Sequence, residues 1–266
     1  MLLIQRREKI KELLLEKKSV TAQELAQLFG VTNETIRRDL MALEESGVIS
    51  RVHGGAYIEG GTTNEIDISL RRITHTTQKQ QIATLCSEII QNGDSIFLDS
   101  STTAYFVAQQ IMDYRLTVLT NSFKVIELLS ASPSIKLLSV GGNFDRHYLS
   151  FFGTKAIDYI TTYHVDKAFF SCRSANFRFG IMDSNEKTAE IRKKVVEQSS
   201  QSYLCIDSSK FGATSFVNIC DFKDLTGIVT DKLPSAEWAG FLQQERITVY
   251  DYSSQVDLPE SSEPEA

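Results

Sequence analysis

Residues able to hold an anion recur in this chain in one kind of place, directly after short apolar runs with strand composition. After residues 96–98 come Asp99, Ser100, Ser101, Thr102 and Thr103, four hydroxyls and several free amides ahead of a helical stretch. After 116–119 come Thr120 and Asn121, after 135–140 come Gly141 and Gly142, and after 203–206 come Asp207, Ser208, Ser209 and Lys210. Amides at a helix N-terminus point at an anion, and the helix dipole favours it. Hydroxyls, amides and the point charge of Lys210 suit a phosphate, leaving Asp99, Asn121 and Asp207 for sugar hydroxyls. Singly, each has a plainer role: a helix N-cap, a glycine turn, a solvated lysine. Joint placement carries the anion reading, because open α/β sheets bind ligands beyond the carboxyl ends of their strands. The chain has neither GxxxxGK[ST] nor GxGxxG, which argues against nucleoside triphosphates and dinucleotides.

A second constellation is basic. Residues 21–56 read TAQELAQLFGVTNETIRRDLMALEESGVISRVHGGA. Thr21 and Glu24 form a capping box that starts a helix. Leu25, Leu28 and Phe29 then share a face, and Gly30 ends the helix. Thr32 caps a second helix whose Ile36, Leu40 and Leu43 make a buried stripe until Gly47. At about 100° per residue, Glu34, Arg37, Arg38 and Met41 lie opposite Ile36. Two short helices joined by a tight turn present the N-terminal residues of the second to base edges in the major groove. Asn33, Thr35 and Arg38 are therefore assigned to base or near-base contacts and Arg37 mainly to phosphate, with Thr32 at the helix start. The plainer alternative is a solvated arginine pair, Glu34 complementing the helix dipole. The following VISRVHGGAY favours DNA: Val48 to Val52 has strand composition and Gly54-Gly55 allows a tight turn, together a β-wing. Arg51 and His53 would sit at its tip near phosphates, although His53 stands equally well as a packing residue. An earlier helix, residues 6–17, buries Ile10, Leu13 and Leu14.

The elements that must position these groups follow from pattern. Seven short strand-like runs recur at 96–98, 116–119, 135–140, 167–170, 203–206, 225–229 and 247–250, with helical stretches between most of them. The predicted fold class is α/β: a mainly parallel sheet covered by helices, with a separate small winged helix-turn-helix domain. The domains are expected at 1–57 (DNA-binding), 58–75 (a linker containing Gly60-Gly61), 76–252 (α/β) and 253–266 (a disordered acidic tail). The chain's 266 residues suffice for both cores. Residues 1–57 carry nine basic and eight acidic side chains against nineteen and twenty-six in the rest. The excess acid thus lies outside the DNA-binding unit, and local clusters (Arg6, Arg7, Lys9 and Lys11; Arg37 and Arg38; Arg51) must steer it. With so little net charge, binding calls for two or more copies per site, a homo-oligomer. Cys86, Cys172, Cys205 and Cys220 have no metal or disulfide spacing and read as reduced, mostly buried thiols, so neither a metal nor a cofactor is expected. No stretch approaches the roughly 20 apolar residues of a membrane span, and MLLIQRRE does not read as a secretory signal. A cytoplasmic protein with no membrane partner is expected.

On RREKIKELL, VTAQELAQLFGVTNETIRRDL and LEESGVISRVHGGA, in order and spacing, the sequence resembles the DeoR family of bacterial transcription regulators. The resemblance extends to about residue 232, through Asp99 to Thr103, Thr120-Asn121, Gly141-Gly142, Gly153, Asp166, the DSNE run 183–186 and DSSKFG at 207–212. It implies a sensor domain similar in fold to ribose-5-phosphate isomerase and coenzyme A transferases. It also implies a repressor of a carbohydrate-metabolism operon, released from operator DNA by a phosphorylated sugar, with no catalytic residue. Two departures stand out: Ser101 replaces the family's glycine, and Thr188 stands where many members have glutamate. Arg173, on an expected strand-end loop, is either a further cation for the ligand or a surface ion pair. The runner-up function is a sugar-phosphate isomerase-like enzyme with an attached DNA-binding domain, which would need a poised carboxylate near Thr188. An activator or architectural protein with an inert C-terminal domain is the third.

Overall fold

The computed structural model describes residues 2–45, 49–58 and 68–256, which divide into two compact units, the first running to Thr76 and including Arg146–Tyr148, the second comprising the rest. Expectations for Gly47, Val48, Gly60-Gly61 and most of the acidic tail fall outside the described residues.

In the first unit, α1 (Leu3–Lys17), β1 (Ser19–Thr21), α2 (Ala22–Phe29), α3 (Asn33–Glu45), β2 (Ser50–Val52) and β3 (Gly55–Tyr57) surround one small core. The capping box forms: the Thr21 amide donates to Glu24 Oε2 at 2.9 Å and the Glu24 amide to Thr21 Oγ1 at 3.1 Å. Thr32 Oγ1 accepts from the Thr35 amide at 3.2 Å. Gly54, at φ 97°, makes the wing turn that a side chain would strain. Ile10, Leu14, Leu25, Ile36, Leu40 and Leu43 are buried together. Leu28 departs from expectation and is exposed; the stripe of α2 that meets the core is Ala22, Leu25, Ala26 and Phe29, an i, i+3, i+4, i+7 arc that leaves Leu28 off its edge. β1 is also unanticipated: it completes a three-stranded antiparallel wing in the order β1-β3-β2.

The same core holds a buried carboxylate. Asp39, three residues beyond Ile36, sits on the inward face of α3 with 1% exposure. Arg6 Nε donates to Asp39 Oδ2 at 2.5 Å and Arg7 Nε to Oδ1 at 3.0 Å. These arginines were expected to steer DNA; instead they neutralise Asp39 and fasten α1 to α3, because a buried charge must be paired. Lys9 and Lys11 pair with Glu12 and Glu8 on α1 itself.

Beyond α4 (Ile68–Ile73), a short helix within the expected linker, the second unit opens with α5 (Thr76–Ile89). There follow β4 (Ser95–Leu98), α6 (Thr102–Gln110), β5 (Leu116–Thr120), α7 (Phe123–Leu129), β6 (Ile135–Ser139), β7 (Asn143–Asp145), β8 (Ser150–Phe152), α8 (Thr154–Thr161) and β9 (Val165–Phe170). Then come β10 (Ser174–Asn176), β11 (Gly180–Asp183), α9 (Glu186–Glu197), β12 (Ser199–Cys205), β13 (Val217–Cys220), β14 (Gly227–Thr230), α10 (Ala236–Gln244), β15 (Thr248–Asp251) and α11 (Tyr252–Val256). All seven expected strands lie in one sheet, order β15-β14-β12-β9-β4-β5-β6, and every pairing is parallel. Side chains alternate between its faces: Phe169, Tyr203 and Val229 pack with α5, α6 and α7, whereas Phe170, Leu204 and Ile228 pack with α9 and α10. Five short strands were not anticipated. β7 and β8 form a hairpin after β6, and β10, β11 and β13 a small antiparallel sheet reached from β9 and β12. All four cysteines are free and buried.

Removing one partner of a buried ion pair leaves the other charge stranded. Asp39→Ala should therefore destabilise the first unit by about 3–5 kcal/mol, read from the urea transition of the intact chain. A loss near that of an exposed pair, below about 1 kcal/mol, would mean that Arg6 and Arg7 escape to solvent.

Candidate functional site

Strand order reverses between β4 and β9, so the chain leaves the carboxyl ends of these adjacent strands in different directions, the place where open α/β sheets bind ligands. Asp99 is the first residue beyond β4. Its Oδ1 accepts from the Ser101 amide at 3.0 Å, and its Oδ2 accepts from the Ser171 amide at 3.2 Å and from Arg192 Nε at 2.7 Å. Arg192, on α9 and 5% exposed, forms a second ion pair with Asp183 at the end of β11. Two buried carboxylates from different strands thus share one buried guanidinium, whose planar fork can serve both.

Asp207 lies beyond β12, next to β9 in the sheet. Lys210 Nζ is 3.3 Å from Asp207 Oδ2 and donates to Ser171 Oγ at 3.2 Å. Ser171 therefore joins the two halves, its amide on Asp99 and its hydroxyl on Lys210. Behind them, Asp231 accepts from the amide and hydroxyl of Ser208 at 2.7 and 2.9 Å. Ser101 caps α6, Oγ accepting from the Ala104 amide at 3.0 Å, while no hydrogen bond among the described residues engages the hydroxyls of Ser100, Thr102 and Thr103. On β5, Thr120 Oγ1 donates to the Leu98 carbonyl at 2.6 Å and accepts from the Ser122 amide. Asn121 is wholly buried; Nδ2 donates to the Phe151 carbonyl, while Oδ1 meets no donor among the described residues.

The structure thus gathers Asp99, Ser100, Ser101, Thr102, Thr103, Thr120, Asn121, Asp207 and Lys210 at the carboxyl ends of three strands of one sheet. Gly141 and Gly142 follow the edge strand β6. A Cβ on Gly142, at φ 117°, would lie 2.6 Å from the Phe152 carbonyl, so this glycine serves the fit of the β7–β8 hairpin. Sequence reasoning missed Ser171, Asp183 as a charge partner, and Arg192. An arginine on the apolar side of α9, level with Ala189 and Ile191, was the available signal. Arg173 is half-buried and makes no ion pair among the described residues. Thr188 is buried, its hydroxyl donating to the Asn185 carbonyl at 2.9 Å. The Cys172 thiol is pushed up to about 12 by burial, against the pull of Lys210 and Arg192, and stays protonated at neutral pH.

On α3, Thr32, Asn33, Arg37 and Arg38 are exposed and Thr35 is half-buried, its hydroxyl 3.0 Å from that of Thr32. Arg38 lies 3.4 Å from Glu34 along the helix. Arg51 Nε donates to Glu44 Oε2 at 2.8 Å, and His53 is exposed at the wing turn. With Arg6 and Arg7 engaged inside, Arg37 and Arg38 supply the solvent-facing charge of α3.

A winged helix-turn-helix carried on the same chain as a doubly wound α/β sheet is the architecture of a two-domain transcription regulator. The DeoR-like helix-turn-helix domain matches residues 6–60 and the DeoR C terminal sensor domain residues 74–232. The chain is 41% identical over 87% of its length, and 90% of the relative's, to the uncharacterized HTH-type transcriptional regulator YulB of Bacillus subtilis (strain 168). It is 30% identical to the HTH-type transcriptional repressor GlcR of the same organism, covering 85% of this chain and 87% of that one. The chain belongs to the DeoR family of transcription regulators. A ribose 5-phosphate isomerase A structure from Methanocaldococcus jannaschii aligns with 50% of this chain and 53% of its own, at 16% identity and a TM-score of 0.38. Among the described residues no helix is long and apolar enough to cross a membrane, and no cluster of His, Cys, Asp and Glu is arranged to hold a metal ion.

The shared guanidinium has a direct consequence for stability. Arg192→Met should destabilise the second unit by about 3–5 kcal/mol in urea unfolding, and adding Asp99→Asn and Asp183→Asn should recover part of it. A loss left untouched by the added substitutions would assign the effect to packing instead.

Proposed function

We propose that this chain is a repressor of a carbohydrate-metabolism operon. It binds operator DNA through α3 and the wing as a symmetric homo-oligomer, a dimer or larger, and a phosphorylated sugar at the carboxyl ends of β4, β5 and β12 releases it. Asn33, Thr35 and Arg38 face base edges; Thr32, Arg37, Arg51 and His53 face the backbone. The observation that carries the reading is the gathering of the hydroxyls at the start of α6, Lys210 and Asn121 at the carboxyl ends of the strands where strand order reverses. The phosphate lies against the amides of Thr102 and Thr103 with Lys210 nearby, and Arg173 supplies a second cation. A buried Asn121 oxygen without a donor suits a ligand hydroxyl, since an acceptor left unmet is costly. GlcR, by its name a transcriptional repressor, supports repression as the direction of control.

A sugar-phosphate isomerase would need a carboxylate free to move a proton. Asp99, Asp183 and Asp207 are each paired with Arg192 or Lys210, and Thr188 is engaged with Asn185. These pairings support a binding role. Release requires that the ligand favour a DNA-incompetent arrangement, and a coupling of about 1–3 kcal/mol changes affinity roughly 5- to 150-fold.

The test is fluorescence anisotropy of the full chain on DNA upstream of its own gene, at fixed salt, with a panel of sugar phosphates and their free sugars. Specific binding weakened by one ester and not by its free sugar is expected; the absence of any preference over random sequence would refute the reading. In the same assay Arg38→Ala should relax preference at one base position by about 1–3 kcal/mol, while Arg37→Ala weakens all sequences alike and lowers the salt slope by about 1. Equal specificity in both variants would overturn that division of roles.

A further inference from the structure

We propose that Glu44, near the end of α3, is a positioning residue for DNA binding: it holds Arg51 so that the outer N–H edge of the guanidinium faces a backbone phosphate. The proposal rests on the reading of Arg51 as a phosphate contact. One carboxylate grips Arg51 twice, Oε1 accepting from its backbone amide at 3.0 Å and Oε2 from its Nε at 2.8 Å. The first bond fixes where β2 begins relative to α3, and the second fixes the direction of the side chain. A guanidinium carries five N–H donors in a rigid fork, so engaging Nε leaves the donors of the two terminal nitrogens, with no other acceptor paired to them among the described residues. The Arg51 hydrogen bonds also hold the Glu44 carboxyl below the usual carboxylate range, so the grip persists through neutral pH.

The surroundings say what the free edge meets. Arg37, Glu44, Arg51, His53 and Gly54 line a cleft of about 410 Å³ between α3 and the wing. Arg37 on α3 and Arg51 on β2 both line it, so the cleft carries cations from two elements. A carboxylate in such a cleft is unexpected on charge alone, since by itself it repels the duplex. The two roles therefore predict opposite signs. If Glu44 merely repels, neutralising it tightens binding. If it aims Arg51, neutralising it loosens binding, and only while Arg51 is present.

Phosphate contacts are independent of sequence, so the probe is a labelled random-sequence duplex bound by the full chain across a salt titration. Arg51→Ala should lower the slope of log K against log salt by about 0.9. Glu44→Gln, which keeps the side chain's length and one acceptor, should weaken binding by roughly two- to fivefold. In an Arg51→Ala background, Glu44→Gln should produce no further loss. Tighter binding by Glu44→Gln, or the same loss with and without Arg51, would overturn the positioning role while leaving the DNA-binding reading intact. An unchanged salt slope in Arg51→Ala would instead remove the phosphate contact on which the proposal rests.

Discussion

The second unit depends on how the Asp99 carboxylate resolves a problem that the sheet creates for itself. Where strand order reverses, β4 and β9 are hydrogen-bonded neighbours up to their carboxyl ends and then part, which leaves amides just beyond the ladder without strand partners. Buried amides must be paired. Asp99 takes the Ser101 amide on its own strand's side and the Ser171 amide on the other, and so turns a gap in the ladder into a fixed floor. An ionised carboxylate in that place needs a counter-charge, and Arg192 supplies it from α9 while also taking Asp183. Through these five residues the ends of β4, β9 and β11 and one covering helix are held in a single arrangement.

Preorganisation has a cost in availability. Asp99 and Asp207 suited sugar hydroxyls by residue type, yet each is already engaged with protein donors, as are the hydroxyls of Ser101 and Thr120. Among the described residues the polar groups there with no hydrogen bond are the hydroxyls of Ser100, Thr102 and Thr103 and the Asn121 oxygen.

Much of the frame was legible in the sequence because its periodicities are strong. Five of the seven apolar runs lie in inner strands largely buried on both faces and read as continuous apolar stretches bounded by turn residues, while the two edge strands, β6 and β15, are partly exposed. The helix-turn-helix was legible for a different reason, its caps being side chains at fixed offsets: Thr21 with Glu24, Thr32 with Thr35, and Gly30 after Phe29. Illegible were elements whose pattern is too short to show a period. Strands β7, β10 and β11 have three or four residues rich in Asn, Ser, Asp and Gly, and they exist because neighbouring elements pair with them. Buried charges were illegible for a third reason. Asp39 and Arg192 look like surface residues by type, and only their place on the inward arc of a helix marks them, together with partners 33 and 93 residues away in sequence.

The departure at Ser101 follows from the same geometry. A glycine there would leave the Ala104 amide open at the start of α6. With serine, Oγ closes that amide, so the helix start leaves open the amides of Thr102 and Thr103 and one donor fewer. Ser101's own amide is already turned inward to Asp99. The helix N-terminus therefore presents a smaller donor set than a glycine would give. Lys210 is partly committed to Asp207, whereas Arg173 is half-buried without an ion pair among the described residues. A serine at the cap thus closes an amide at the start of α6 that a glycine would leave open.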